Sequence, residues 1–119
     1  MKLTTIEKIK DVVPHPNSDK LDIVTVLGYQ CIAPKGKWCV GDWCVLIQPD
    51  TILPDSEWAK FYKSKSSRVK AIKLRDVWSF GIVESLEILP HSFGFEFAKM
   101  EGEEISEILG ITKYEAPQP

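Results

Sequence analysis

Leu21-Asp22-Ile23-Val24-Thr25-Val26-Leu27-Gly28-Tyr29-Gln30-Cys31-Ile32-Ala33 carries the clearest β pattern in the chain and sets its fold class. Its first seven residues are rich in β-branched side chains and begin by alternating, the pattern of a strand with one buried face. Gly28 ends or bulges that strand. Gln30 to Ala33 reads as the returning partner, so a β-hairpin is expected early in the chain.

Upstream, Leu3 to Val13 mixes Ile6, Ile9, Val12 and Val13 with charges and stops at Pro14-His15-Pro16-Asn17. Neither proline can donate to a ladder, which predicts a strand and then a turn. Downstream, Pro34-Lys35-Gly36-Lys37 and Val40-Gly41-Asp42 are polar turns, and Trp43 to Ile47 is a buried strand. Asp55 to Tyr62 predicts a short helix plugging a barrel end, capped by Asp55, with Trp58, Phe61 and Tyr62 on one face. Val69 to Leu74 predicts a further strand, and Gly81-Ile82-Val83 with Leu86 and Ile88 supplies the closing one. Five short strands and one helix imply an all-β class, a closed or nearly closed barrel with little helix.

A short helix over Gly102 to Gly110 is expected to stop at Gly110, with a Pro-bearing linker, Ala116-Pro117-Gln118-Pro119, behind it. The expected division is therefore a barrel over residues 1–95 and an acidic tail and linker over 96–119, leading towards a further domain.

A chain of 119 residues, 44% hydrophobic and 27% charged, can bury one core. No apolar run has the length of a membrane span, and Met1 to Glu7 lacks the apolar core of a signal peptide, which reads as an intracellular, cytoplasmic protein. Cys31, Cys39 and Cys44 form an odd set with no metal-type spacing, as expected of reduced, buried thiols. The net charge of -2 is uneven: residues 1–95 carry 13 Lys+Arg against 11 Asp+Glu, while residues 96–119 carry two lysines against six glutamates. An acidic total does not exclude a nucleic-acid partner, because binding responds to a local patch.

Such a patch is visible. Lys63, Lys65, Arg68, Lys70, Lys73 and Arg75 follow one another with no anion between them, a run that can neutralise several phosphates. If Val69 to Arg75 is one strand, Lys73 and Arg75 share a face. The competing reading is a solvated edge strand guarded by lysines. Arg68 and Arg75 weigh most, because a guanidinium forks onto phosphate and stacks on bases. Lys20, Lys35 and Lys37 lie in turns bordering the same barrel surface, and Trp38, Tyr29 and Trp78 are stacking candidates, with core packing the alternative for each. His15, between two prolines, is either a phosphate donor or a structural cap. No Ser-His-Asp grouping, paired-carboxylate pattern, Walker loop or dinucleotide fingerprint is present, so catalysis by this chain alone is not expected.

His15-Pro16-Asn17-Ser18-Asp19-Lys20-Leu21 resembles the H-P-N-A-D-K-L stretch that opens tRNA-binding oligonucleotide-binding (OB) domains. Val40-Gly41-Asp42, Asp50-Thr51-Ile52-Leu53-Pro54, Arg68 to Arg75, Ser79-Phe80-Gly81-Ile82 and Leu109-Gly110-Ile111-Thr112-Lys113-Tyr114-Glu115 follow in an order similar to the N-terminal domain of the Deinococcus-type ATP-dependent RNA ligases. That resemblance, through nearly the whole chain, implies a five-stranded OB-fold barrel in front of a nucleotidyltransferase domain that seals 3′-OH/5′-phosphate breaks in duplexes whose 3′-OH side is RNA. It implies an RNA partner, a catalytic ligase domain in cis, and ATP with a divalent metal in that domain only. This chain lacks the K-x-D-G motif of the ligase nucleophile: Lys20-Leu21-Asp22-Ile23 has no Gly. Asp76 also stands where the family leads one to expect Gly. Two other classes stay open, a protein-interaction or dimerisation module and a free-standing tRNA-binding domain. Salt-resistant self-association without an RNA mobility shift marks the first, and preference for folded tRNA over nicked duplex marks the second.

Overall fold

β1 (Thr4–Lys8) and β2 (Asp11–Pro14) are one run of chain that crosses from one sheet to another at Ile9-Lys10. In the computed structural model, which describes residues 3–63, 68–89 and 101–114, β1 joins β5 (Trp43–Ile47) and β9 (Ile82–Glu84) in an antiparallel sheet ordered β1-β5-β9. β2 joins β3 (Leu21–Val26) and β4 (Tyr29–Pro34) in the order β2-β3-β4. The β3–β4 register, Val26 opposite Tyr29, leaves Leu27 and Gly28 as a two-residue turn, both left-handed at φ 50° and 81°. That is the twist-matched hairpin geometry, and Gly28 supplies the second positive φ without steric cost.

The two sheets close on each other where β4 meets β8 (Val77–Phe80), which pairs with β7 (Ala71–Leu74) in a separate hairpin. Side chains make that seam: Ser79 Oγ accepts from Ile32 N–H at 3.0 Å, Gln30 Nε2 donates to the Trp78 carbonyl at 2.8 Å, and the Cys31 thiol donates to the Phe80 carbonyl at 3.4 Å. The result is the nearly closed barrel the strand pattern predicts.

Every residue from Cys44 to Ile47 is buried, because this strand is covered on both faces. One face of β5 carries Cys44 and Leu46 into the barrel interior with Ile9, Val24, Val26, Cys31, Ala33, Trp38 and Val83. The opposite face sends Val45 and Ile47, with Ile6 of β1, into a second core completed by Leu53, Ala59, Val69, Ile105, Leu109 and Ile111. The expected helix forms as a 3-10 turn, Glu57–Ala59, running into α1 (Lys60–Lys63). Its cap position is Ser56, one residue later than predicted, and that side chain makes no capping bond. It packs on this outer core, and the Tyr62 hydroxyl donates to the Glu84 carboxylate.

Residues 101–114, expected as tail, are built into the body. The edge of β1 not used by β5 bonds to them: Ile6 N–H donates to the Glu103 carbonyl at 3.0 Å, Gly102 N–H to the Ile6 carbonyl at 2.6 Å, and Ile105 N–H to the Thr4 carbonyl at 2.9 Å. The Glu104 carboxylate accepts from Leu3 N–H at 2.8 Å and Ser106 N–H at 2.9 Å. α2 (Ser106–Leu109) ends at Gly110, left-handed at φ 75°, the C-terminal stop its glycine predicts. β10 (Thr112–Lys113) then pairs with β6 (Thr51–Ile52). The physical reason is apolar: Ile105, Leu109 and Ile111 bury themselves against the outer face of the β1-β5-β9 sheet together with Leu53, Ala59 and Val69. The Ala116 to Pro119 linker lies outside the described residues. No helix among those described is long and apolar enough to cross a membrane.

Cys31 and Cys44 are buried as expected, whereas Cys39 is exposed. Burial pushes the Cys31 thiol up to about 12 and the Cys44 thiol equally far, the Glu7 carboxylate adding to burial at Cys44. Only a thiolate is nucleophilic. Iodoacetamide at pH 8 is therefore expected to label the native protein at Cys39 alone and all three cysteines once unfolded, read by intact mass. Rapid native labelling at Cys31 or Cys44 would show that the inner core opens.

Candidate nucleic-acid interface

The His15-Pro16-Asn17 stretch has a mechanical role. His15 is 4% exposed, and its Nδ1 accepts from Asn17 N–H at 2.9 Å. The ring proton therefore sits on Nε2, which donates to the Leu74 carbonyl at 3.0 Å. Asn17 Nδ2 donates to the next carbonyl along, that of Arg75, at 2.7 Å. Together they staple the β2–β3 loop to the β7–β8 turn. That turn holds Arg75 and Asp76 left-handed at φ 50° and 68°. A side chain at either position costs energy that glycine would not, and the two anchored carbonyls hold the turn in place. Of the two readings open for His15, the structural cap is the one observed.

The staple brings Arg75 over the loop that carries Lys20. Lys35 reaches the same place because Lys35 N–H donates to the Lys20 carbonyl at 3.0 Å, just beyond the Leu21–Pro34 pair that ends the β3–β4 ladder. The three cations arrive from three separate elements and line one open groove of about 590 Å³, with Pro14, His15, Asn17, Ser18 and Asp19. Among the described residues none of Lys20, Lys35 and Arg75 has a carboxylate within ion-pair distance, and Asp19 is the acid in the lining. Unpaired cations converging on a concave surface create the local positive potential that draws an anionic chain. Asn17 and Ser18 add hydrogen-bonding groups.

The remaining sequence candidates are distributed differently. Arg68 forms a bridge with Ile52 instead of beginning a strand, and its Nη2 and Nε contact Asp50 Oδ1 at 2.6 and 3.2 Å. Its guanidinium carbon lies 3.9 Å from the Tyr114 ring centroid. The hydrogen bond it donates to Asp50 raises its already high pKa. β7 starts only at Ala71, so the cations do not form one ribbon. Lys70 is exposed before the strand, Lys73 is exposed on it, and Arg75 lies beyond the end of β7 in the left-handed turn, where strand alternation no longer applies. Lys65 lies outside the described residues. Lys37 is exposed with its Nζ 5.7 Å from the Trp38 ring centroid. Trp38 is 8% exposed in the inner core, which leaves no ring face for a base. Tyr29 is half-buried and donates its hydroxyl to Gln48 Oε1 at 3.2 Å.

Trp78 is the aromatic candidate that is exposed, at 47%. Phe80, not singled out by sequence, lies beside it, 38% exposed. The missed signal was their i, i+2 spacing, which puts both rings on one face of β8. No group of three or more His, Cys, Asp or Glu side chains that could hold a metal occurs among the described residues.

Comparison with known proteins agrees with this architecture. The model of the OB-fold domain family matches residues 3–86, well over half of the chain. No curated protein matches it by sequence. Among solved structures, the Naegleria gruberi RNA ligase with pyrophosphate superposes at a TM-score of 0.81 with 25% identity over 100% of this chain. A mutant of that enzyme with ATP and manganese superposes at 0.80, again with 25% identity, over 99%. The chain spans 37% of the length of either ligase chain. With the family model matched over most of a barrel of linked antiparallel sheets, this chain belongs to the OB-fold domain family.

Proposed function

We propose that this domain binds RNA as the accessory module of an ATP-dependent RNA ligase, of the Deinococcus-type family its sequence resembles, and holds the 3′-OH strand in register for a catalytic domain in cis. The observation that carries the reading is the convergence of Lys20, Lys35 and Arg75 on one groove. Likeness to the N. gruberi RNA ligase over the whole chain supports the ligase context. The mechanism is positioning: phosphate contacts set the register of the strand without reading bases, and the adjoining domain gains orientation of the end to be joined. ATP and a divalent metal belong to that adjoining domain.

The triple variant K20A/K35A/R75A is expected to weaken binding to 3′-OH RNA by an order of magnitude or more at low ionic strength. For three lost phosphate contacts on a single strand the log–log salt slope shrinks by about 2. R68A, whose side chain is held by Asp50 and Tyr114, is expected to change both far less. Fluorescence anisotropy across a salt series reads both quantities. Unchanged affinity and slope in the triple variant would overturn the reading.

A further inference from the structure

We infer that the outward face of the β7–β8 hairpin is a stacking platform for unpaired nucleobases, made by Trp78 and Phe80 with Lys73 alongside. This rests on the RNA-binding reading above and adds the form of RNA the domain favours. In the β7–β8 register Ala71 lies opposite Phe80 and Lys73 opposite Trp78, so these four side chains share one face. Ile72, Leu74, Val77 and the buried Ser79 share the other, which Ser79 ties to β4. The Trp78 and Phe80 rings are stacked, with centroids 6.1 Å apart and planes inclined by 24°. Two large rings nearly parallel and open to solvent are an unusual expense of apolar surface.

The backbone that carries both rings is tied to β4 from behind. The Trp78 carbonyl accepts from Gln30 Nε2 at 2.8 Å, and the Phe80 carbonyl from the Cys31 thiol. The strand beneath the two rings is therefore anchored to the barrel before any ligand arrives. Charge indicates the occupant: Lys73 flanks Trp78 directly, Arg75 follows at the tip beside the cationic groove, and Asp76 is the acid between them and β8. Aromatic faces edged by cations match a polynucleotide whose bases are splayed from its backbone, because each base offers a π-face and each phosphate an anion. A continuous duplex cannot use this face, since its bases are already stacked on one another. The domain therefore prefers RNA carrying unpaired nucleotides over blunt duplex.

The test compares the 119-residue chain with the variant W78A/F80A on three labelled probes: a single-stranded RNA, the same strand with abasic linkers in place of its bases, and a blunt duplex. Wild type is expected to bind the RNA strand roughly ten- to a hundredfold more tightly than the abasic strand, and W78A/F80A to lose most of that difference while keeping its affinity for the abasic strand. Matching thermal melts of the two proteins exclude a folding defect. Equal wild-type affinity for RNA and abasic strands overturns the platform and leaves groove binding intact. So does a W78A/F80A variant that binds RNA normally, including one that loses only a protein partner such as the ligase catalytic domain. A wild-type protein that binds none of the probes overturns the RNA-binding reading itself.

Discussion

A chain ending at Met100 is expected not to fold. Residues 101–114 place Ile105, Leu109 and Ile111 at 1%, 6% and 3% exposure in the outer core. Burying one such side chain is worth about 1.5–3 kcal/mol. Three together approach the whole stability of a typical domain, about 5–15 kcal/mol. The deletion also strips β1 of hydrogen bonds to Gly102, Glu103 and Ile105, removes the Glu104 carboxylate from Leu3, and leaves an open strand edge beside exposed Ile6, Val45 and Ile47. Such an edge pairs with other chains. Circular dichroism and a thermal melt of the truncated chain should show no cooperative transition, with aggregation on concentration. A melt within a few degrees of the full chain would mean that the segment is an appendage.

Gly81→Ala should be nearly as damaging. Gly81 has φ 101°, and a Cβ there would lie 2.5 Å from the Ile47 backbone oxygen. That oxygen belongs to the strand pairing with β9, Ile47 lying opposite Ile82, so neither partner can move without disturbing the closing ladder. Strained backbone alone costs about 1–3 kcal/mol. With the steric clash added, we expect a loss of about 3 kcal/mol or more and a fall in melting temperature above ~10 °C. Gly36→Ala is the matched comparison: φ is 80°, but a Cβ meets nothing within 4 Å. It should cost only the left-handed penalty, about 1–2 kcal/mol. Equal melting temperatures for the two variants would refute the close approach at Gly81.

The strand content was legible because its signals are local. Alternation over Leu21 to Val26, an unbroken apolar run over Cys44 to Ile47, and glycines at 28, 36, 41 and 110 mark elements within a few residues of themselves. The cationic site was only partly legible. Lys20, Lys35 and Arg75 were each visible as candidates, yet so was Arg68, and nothing nearby in sequence reveals that Asp50 and Tyr114 hold it. Trp38 and Trp78 look alike in sequence; one is core and the other is open because β8 lies at the barrel seam.

Residue pattern alone determined that this chain makes short strands closed into a barrel, since alternation and turn chemistry act over two to eight residues. Tertiary structure decided everything that depends on distant pairs: the second core built by residues 101–114, the staple from His15 and Asn17 to the Leu74-Arg75 turn, and the gathering of Lys20, Lys35 and Arg75 at one groove. Those contacts join residues up to 101 positions apart in the chain, and a hydrogen bond or an apolar contact at that separation is set by how the sheets meet, not by what stands next to each residue.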